Sequence, residues 1–63
     1  MTELESKMLD ELKGSTIEIY LAVSDKCYRG KLVEYNVECI IIEREGMKRL
    51  FYKKNISHFN GIE

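Results

Sequence analysis

The sequence predicts an all-β domain behind an N-terminal helix: a small, strongly bent, five-stranded antiparallel sheet of the partly open barrel kind. Three observations predict it. Short stretches rich in β-branched and aromatic residues recur between turn signals. Gly30 sits inside one of them, where glycine marks a bend, a bulge or a close backbone approach. Cys39-Ile40-Ile41-Ile42 is an unbroken apolar run, which needs cover on both faces from a second layer or a partner chain.

The helix is expected over residues 2–13. Thr2 can cap it, with Glu5 three positions on as in a capping box, and Glu3 places negative charge in the first turn. Leu4, Met8 and Leu12 form an apolar stripe that Leu9 widens, so the Leu4–Met8–Leu12 side is expected to dock. Lys13 and Gly14 end it, with Gly14 as a left-handed cap. The first strand is expected over Thr16–Val23, where Ile17, Ile19 and Leu21 alternate with Glu18, Tyr20 and Ala22. Ser24, Asp25 and Lys26 make a turn.

The second strand is Cys27–Tyr35, with Tyr28 and Leu32 inward and Gly30 at the bend. Glu34, Tyr35 and Asn36 then redirect the chain. The third strand is Val37–Glu43. Arg44 to Met47 form a turn in which Gly46 can take a positive φ. The fourth strand is Lys48–Lys53 and the fifth Ile56–Phe59, separated by a break near Lys54 and Asn55.

Sixty-three residues make one domain, residues 1–63. A core in a chain below about 70–80 residues rarely supplies more than ~3–5 kcal/mol, so a staple or a partner is expected. Two cysteines and one histidine are too few for a disulfide scaffold or a zinc site, and no cofactor or metal is expected. Self-association remains, and it suits the apolar run. An open barrel leaves two edges, and pairing one edge with a neighbour's other edge closes into a ring where the rotation permits.

No basic flank precedes an apolar segment and no apolar run reaches membrane-spanning length, so the expected location is cytoplasmic. The net charge is −1, against the strong positive charge of a general nucleic-acid binder. Its distribution is uneven. Residues 3–11 hold Glu3, Glu5, Asp10 and Glu11 against Lys7, and residues 48–54 hold Lys48, Arg49, Lys53 and Lys54 with no acid. Glu5, Glu18 and Glu38 do not make an enzyme, because acid–base work by paired carboxylates needs a cleft and a fixed separation.

Tyr52-Lys53-Lys54-Asn55-Ile56-Ser57 resembles the signature, usually Tyr-Lys-His-Ala-Ile-Ser, of the Hfq family, the bacterial and archaeal branch of the Sm-like proteins. Ile19-Tyr20-Leu21 resembles that family's first strand, Gly30 to Asn36 its second, and Leu9 to Lys13 the end of its helix. The resemblance implies the Sm-like fold, an SH3-like partly open barrel. It also implies a ring, usually a homohexamer, closed by the fourth strand against a neighbour's fifth. The function implied is binding of single-stranded RNA, with a chaperone role between small regulatory RNA and messenger RNA in post-transcriptional regulation and the stress response.

Carried over by position, the family's uridine site falls on Glu5, Val37–Glu38 and Lys53–Lys54, of which Lys53 alone keeps the usual type. On the face that takes adenine- or purine-rich RNA, Tyr20 matches an aromatic platform, and Arg29 and Arg49 fall near glutamine positions. The RNA-binding residues so implied are Tyr20, Arg29, Asn36, Arg49, Lys53 and Lys54. Plainer readings stand beside them. Lys53 and Lys54 are also ordinary solvated charges near a strand end, Tyr20 a packing residue between copies, and Arg29 and Arg49 ion-pair partners of Glu18 or Glu34. His58 reads as a surface or interface residue. A ring that serves as a protein scaffold with weak or no RNA binding is the alternative function.

Overall fold

In the computed structural model, which describes residues 3–62, the chain forms α1 (Glu3–Leu12), β1 (Thr16–Leu21), β2 (Cys27–Tyr35), β3 (Cys39–Arg44), β4 (Met47–Tyr52) and β5 (Ile56–Gly61). A single 3₁₀ turn, Lys53–Asn55, occupies the expected break before β5. The cap expected at Thr2 lies outside the described residues.

α1 docks by a different side from the one its leucine spacing suggests. Leu9 is fully buried and Leu12 half-buried, whereas Leu4 is 71% and Met8 41% exposed. Glu5, Leu9 and Leu12 stand four and three residues apart, which puts them on one helix face. The far end of that face abuts β5: a Cβ at Gly61 would lie 2.6 Å from Leu12 Cδ2. Gly14, at φ +91°, ends the helix, and its N–H donates to the Leu32 carbonyl of β2 at 2.8 Å. The connection is thereby sewn to the sheet.

All neighbouring strands are antiparallel, in the order β4-β3-β2-β1-β5. The expected strongly bent, SH3-like partly open barrel of the Sm-like kind is not what forms. β4 and β5 lie at opposite margins of an open sheet that is not strongly curled or closed. Closure needs a tilt and a stagger carried through every ladder. Here the ladders run in steady register, with irregularities only between Leu32 and Glu34 and between Tyr20 and Leu21.

Gly30 pairs regularly with Ile17, and the register shift comes later in β2. Its requirement is proximity: a Cβ there would stand 3.0 Å from the Glu43 carbonyl oxygen and 3.1 Å from Ile42 Cβ.

The buried core is Leu9, Ile17, Ile19, Leu32, Ile40 and Ile42. Each such side chain contributes roughly 1.5–3 kcal/mol of transfer free energy. Alternation explains the β3 run: Ile40 and Ile42 are covered, while Cys39 and Ile41 on the other face are half-buried. The two cysteines are free; Cys27, exposed, pairs with Tyr20 of β1, and Cys39 with Tyr52 of β4. The β3–β4 hairpin turns on two residues, Glu45 at φ +53° and Gly46 at φ +80°. Two positive φ values mark the type I′ turn, whose twist matches the flanking strands. Among the described residues no helix is long and apolar enough to cross a membrane.

Candidate functional site

β1 carries the densest polar constellation. Glu18, 8% exposed, is the buried charged residue among the described residues. A buried carboxylate is tolerated only when paired and hydrogen-bonded. Both needs are met locally. The Tyr20 hydroxyl donates to Oε1 at 2.5 Å, and Arg29 Nε donates to Oε2 at 2.7 Å from the paired strand β2. The Tyr20 bond first, and Arg29 second, hold the Glu18 carboxyl below the usual carboxylate range. Glu18 in turn pushes the Tyr20 hydroxyl up to about 12, and raises Arg29 further.

Tyr20 also stacks on His58, its cross-strand partner on β5, with ring centroids 4.3 Å apart and planes 13° apart. This β1–β5 pairing brings two rings and a guanidinium together, and His58 also lines the groove between α1 and β5. The Ser57 hydroxyl lies 3.1 Å from His58 Nδ1. His58 was legible in the sequence only as a surface or interface residue. Its place in the stack follows from β1 and β5 being neighbours, which periodicity alone does not reveal.

Arg49 stands apart from that pair, on the side of β4 that faces Tyr28. Its guanidinium lies 5.6 Å from the Tyr28 ring centroid, within cation–π range. Tyr28 is itself tilted against Phe51 at 5.2 Å. Of the ion pairs expected for the arginines, Arg29 makes the one with Glu18, while Glu34 is met by Lys13 at 3.5 Å.

Lys53 is not an open cation. Its side chain is 14% exposed, its Nζ lies 3.4 Å from Glu5 Oε1, and the Tyr35 ring is 5.8 Å away. Lys54 is exposed, in a shallow hollow with Val37, Glu38, Tyr52 and Lys53. Asn36 has a structural job. Its Oδ1 accepts from the N–H groups of Glu38 and Cys39, both at 2.8 Å, which folds the β2–β3 turn. The six sequence-derived residues therefore do not form one site. Tyr20 and Arg29 meet, Arg29 and Arg49 line one cleft, Lys53 and Lys54 line one hollow, and Asn36 braces a turn.

Apolar surface is also exposed. Met47, Leu50 and Tyr52 on the margin strand β4 are each at least half-exposed. On the other margin a groove of about 280 Å³ runs between α1 and β5, with Leu4, Met8 and Ile56 among its walls. Among the described residues no group of three or more His, Cys, Asp or Glu side chains is placed to hold a metal. Compared with family models and with curated proteins, the chain matches none.

Proposed function

We propose that this chain is an RNA-binding protein of the Hfq type, acting in the cytoplasm through a ring of identical copies. It takes single-stranded, purine-rich RNA on the Tyr20–His58 face and serves as a chaperone for small regulatory and messenger RNA. It is a binding protein, not an enzyme. The observation that carries this reading is the Tyr20–His58 stack with Arg29 beside it. Stacked rings with a guanidinium at hand are how single-stranded nucleic acids are held without groove readout.

Self-association is supported by the two bare margins. β4 presents apolar side chains together with Lys48 and Arg49, and the groove beside β5 adjoins a helix rich in acids. A scaffold role with weak RNA binding is the second reading. Lys53 held by Glu5 and the oxygen of Asn36 held by the turn favour it, since neither is left open to a ligand.

The test is a titration of adenine-, uridine- and mixed-sequence RNA oligomers at two salt concentrations, on protein whose assembly state has been measured. The expected result is salt-sensitive binding strongest for adenine-rich RNA. Tyr20→Ala and His58→Ala are each expected to weaken it, by roughly 5- to 150-fold per stacked base lost. No binding at low salt by an assembled protein favours the scaffold. Unchanged affinity in both variants, with circular dichroism like the parent's, overturns the placement of RNA on this face.

A further inference from the structure

A cleft of about 110 Å³ opens where β2, β3 and β4 meet the β3–β4 hairpin, lined by Cys27, Tyr28, Arg29, Ile42, Arg44 and Arg49. Three of its six residues are arginines and none is acidic. We propose that it is a phosphate-binding site, built on Arg44 and Arg49 with Arg29 as the third cation. The proposal deepens the RNA reading by naming a phosphate contact separate from the Tyr20–His58 rings, and it rests on that reading for its biological ligand.

The chemistry follows from what each guanidinium lacks. Arg44 and Arg49 have no carboxylate partner among the described residues. Arg29 is held through Nε by Glu18 Oε2 at 2.7 Å, which makes it the weaker third cation. Planar guanidinium forks match the oxygen spacing of phosphate and bind it bidentately.

The cations are also held in place beforehand. Arg49 is seated over Tyr28, which rests on Phe51. Arg44 ends β3, where the two-residue turn fixes the backbone. Arg44 and Ile42 share a strand face and Glu43 takes the other, so strand alternation keeps that carboxylate off the cleft. Water needs roughly 10–15 Å³ of such space per molecule, so the cleft has room for a tetrahedral oxyanion. A chain of net charge −1 thus keeps one locally positive hollow.

The test follows the arginine Nε–Hε resonances while inorganic phosphate is added, against chloride at equal ionic strength. Saturable shifts of Arg44 and Arg49 with phosphate alone are expected. Arg44→Gln and Arg49→Gln should each weaken phosphate binding roughly tenfold or more. Lys7→Gln on α1 should not. A second arm replaces phosphate by adenosine monophosphate, and a third by RNA oligomers with and without a 5′-phosphate, which separates a terminal phosphate from the chain's diesters.

Equal responses to phosphate and chloride overturn the proposal, as does parent-like phosphate affinity in Arg44→Gln. Phosphate binding in a protein with no RNA affinity upholds the cleft and refutes the RNA reading. RNA binding without a phosphate response, unaltered by Arg44→Gln, does the reverse.

Discussion

Replacing Leu9 by alanine removes the single α1 side chain that the described fold buries completely. The loss combines the transfer term of the deleted carbons with the cavity they leave, ~2–5 kcal/mol for a buried leucine. A core in a chain of this size supplies only ~3–5 kcal/mol in all. Leu9→Ala should therefore bring an isolated protomer to the edge of unfolding, with the thermal midpoint falling by roughly 10 °C or more.

Leu4→Ala is the control, since Leu4 is 71% exposed and truncation there should stay within about 0.5 kcal/mol. Urea denaturation followed by circular dichroism, at several protein concentrations, compares the two. Should Leu4→Ala cost as much as Leu9→Ala at the lowest concentration, the assignment of the docking face is wrong. If copies cover the α1–β5 groove, the Leu4→Ala cost should instead grow with concentration, because association stabilises by mass action.

Two further outcomes are expected. Glu45 holds φ +53°, a left-handed conformation that costs an ordinary L-residue roughly 1–2 kcal/mol and asparagine less, so Glu45→Asn should raise stability by about 0.5 kcal/mol. A urea midpoint no higher than the parent's would refute the turn assignment. The Glu18 carboxyl sits below its ordinary value of 4.5 in the folded state, so its contribution is complete above that pH and is lost as pH falls through the folded value. The Tyr20 hydroxyl, raised to about 12, contributes below its ordinary 10.0 and ceases to as pH rises through about 12. Phenolate absorbance should accordingly show a late phase that Glu18→Gln removes; no late phase in the parent would contradict the Glu18–Tyr20 bond.

Much of this architecture was legible before any coordinates. β2 was readable to the residue because turn formers bound it on both sides and its apolar positions alternate. The helix existed as expected, but its buried side did not follow from Leu4, Met8 and Leu12. Each four-residue step on an α-helix drifts by about 40°, and what fixed the choice was Leu9 entering the core with the sheet's isoleucines, a contact between distant parts of the chain. The barrel failed for a related reason. Gly30 signals curvature or crowding, and what the fold shows there is crowding by Ile42 and the Glu43 carbonyl.

At the site, Glu18 as an arginine's partner was foreseeable, since residues two apart on one strand share a face with the neighbour opposite. The Tyr20–His58 stack and the meeting of Arg44 with Arg49 were not, because they depend on which strands lie side by side and on a two-residue turn.

The strand order has a consequence for biosynthesis. β1 leaves the ribosome before β2, β3 and β4, yet one of its two hydrogen-bonding neighbours, β5, follows all three. Until residue 61 has been made, one flank of β1 stays unpaired beside Ile17 and Ile19, and Leu12 has no glycine to lean on. The nascent polypeptide must hold that strand half-dressed while three more strands are made, which makes that interval the window in which chaperones and proteases meet it.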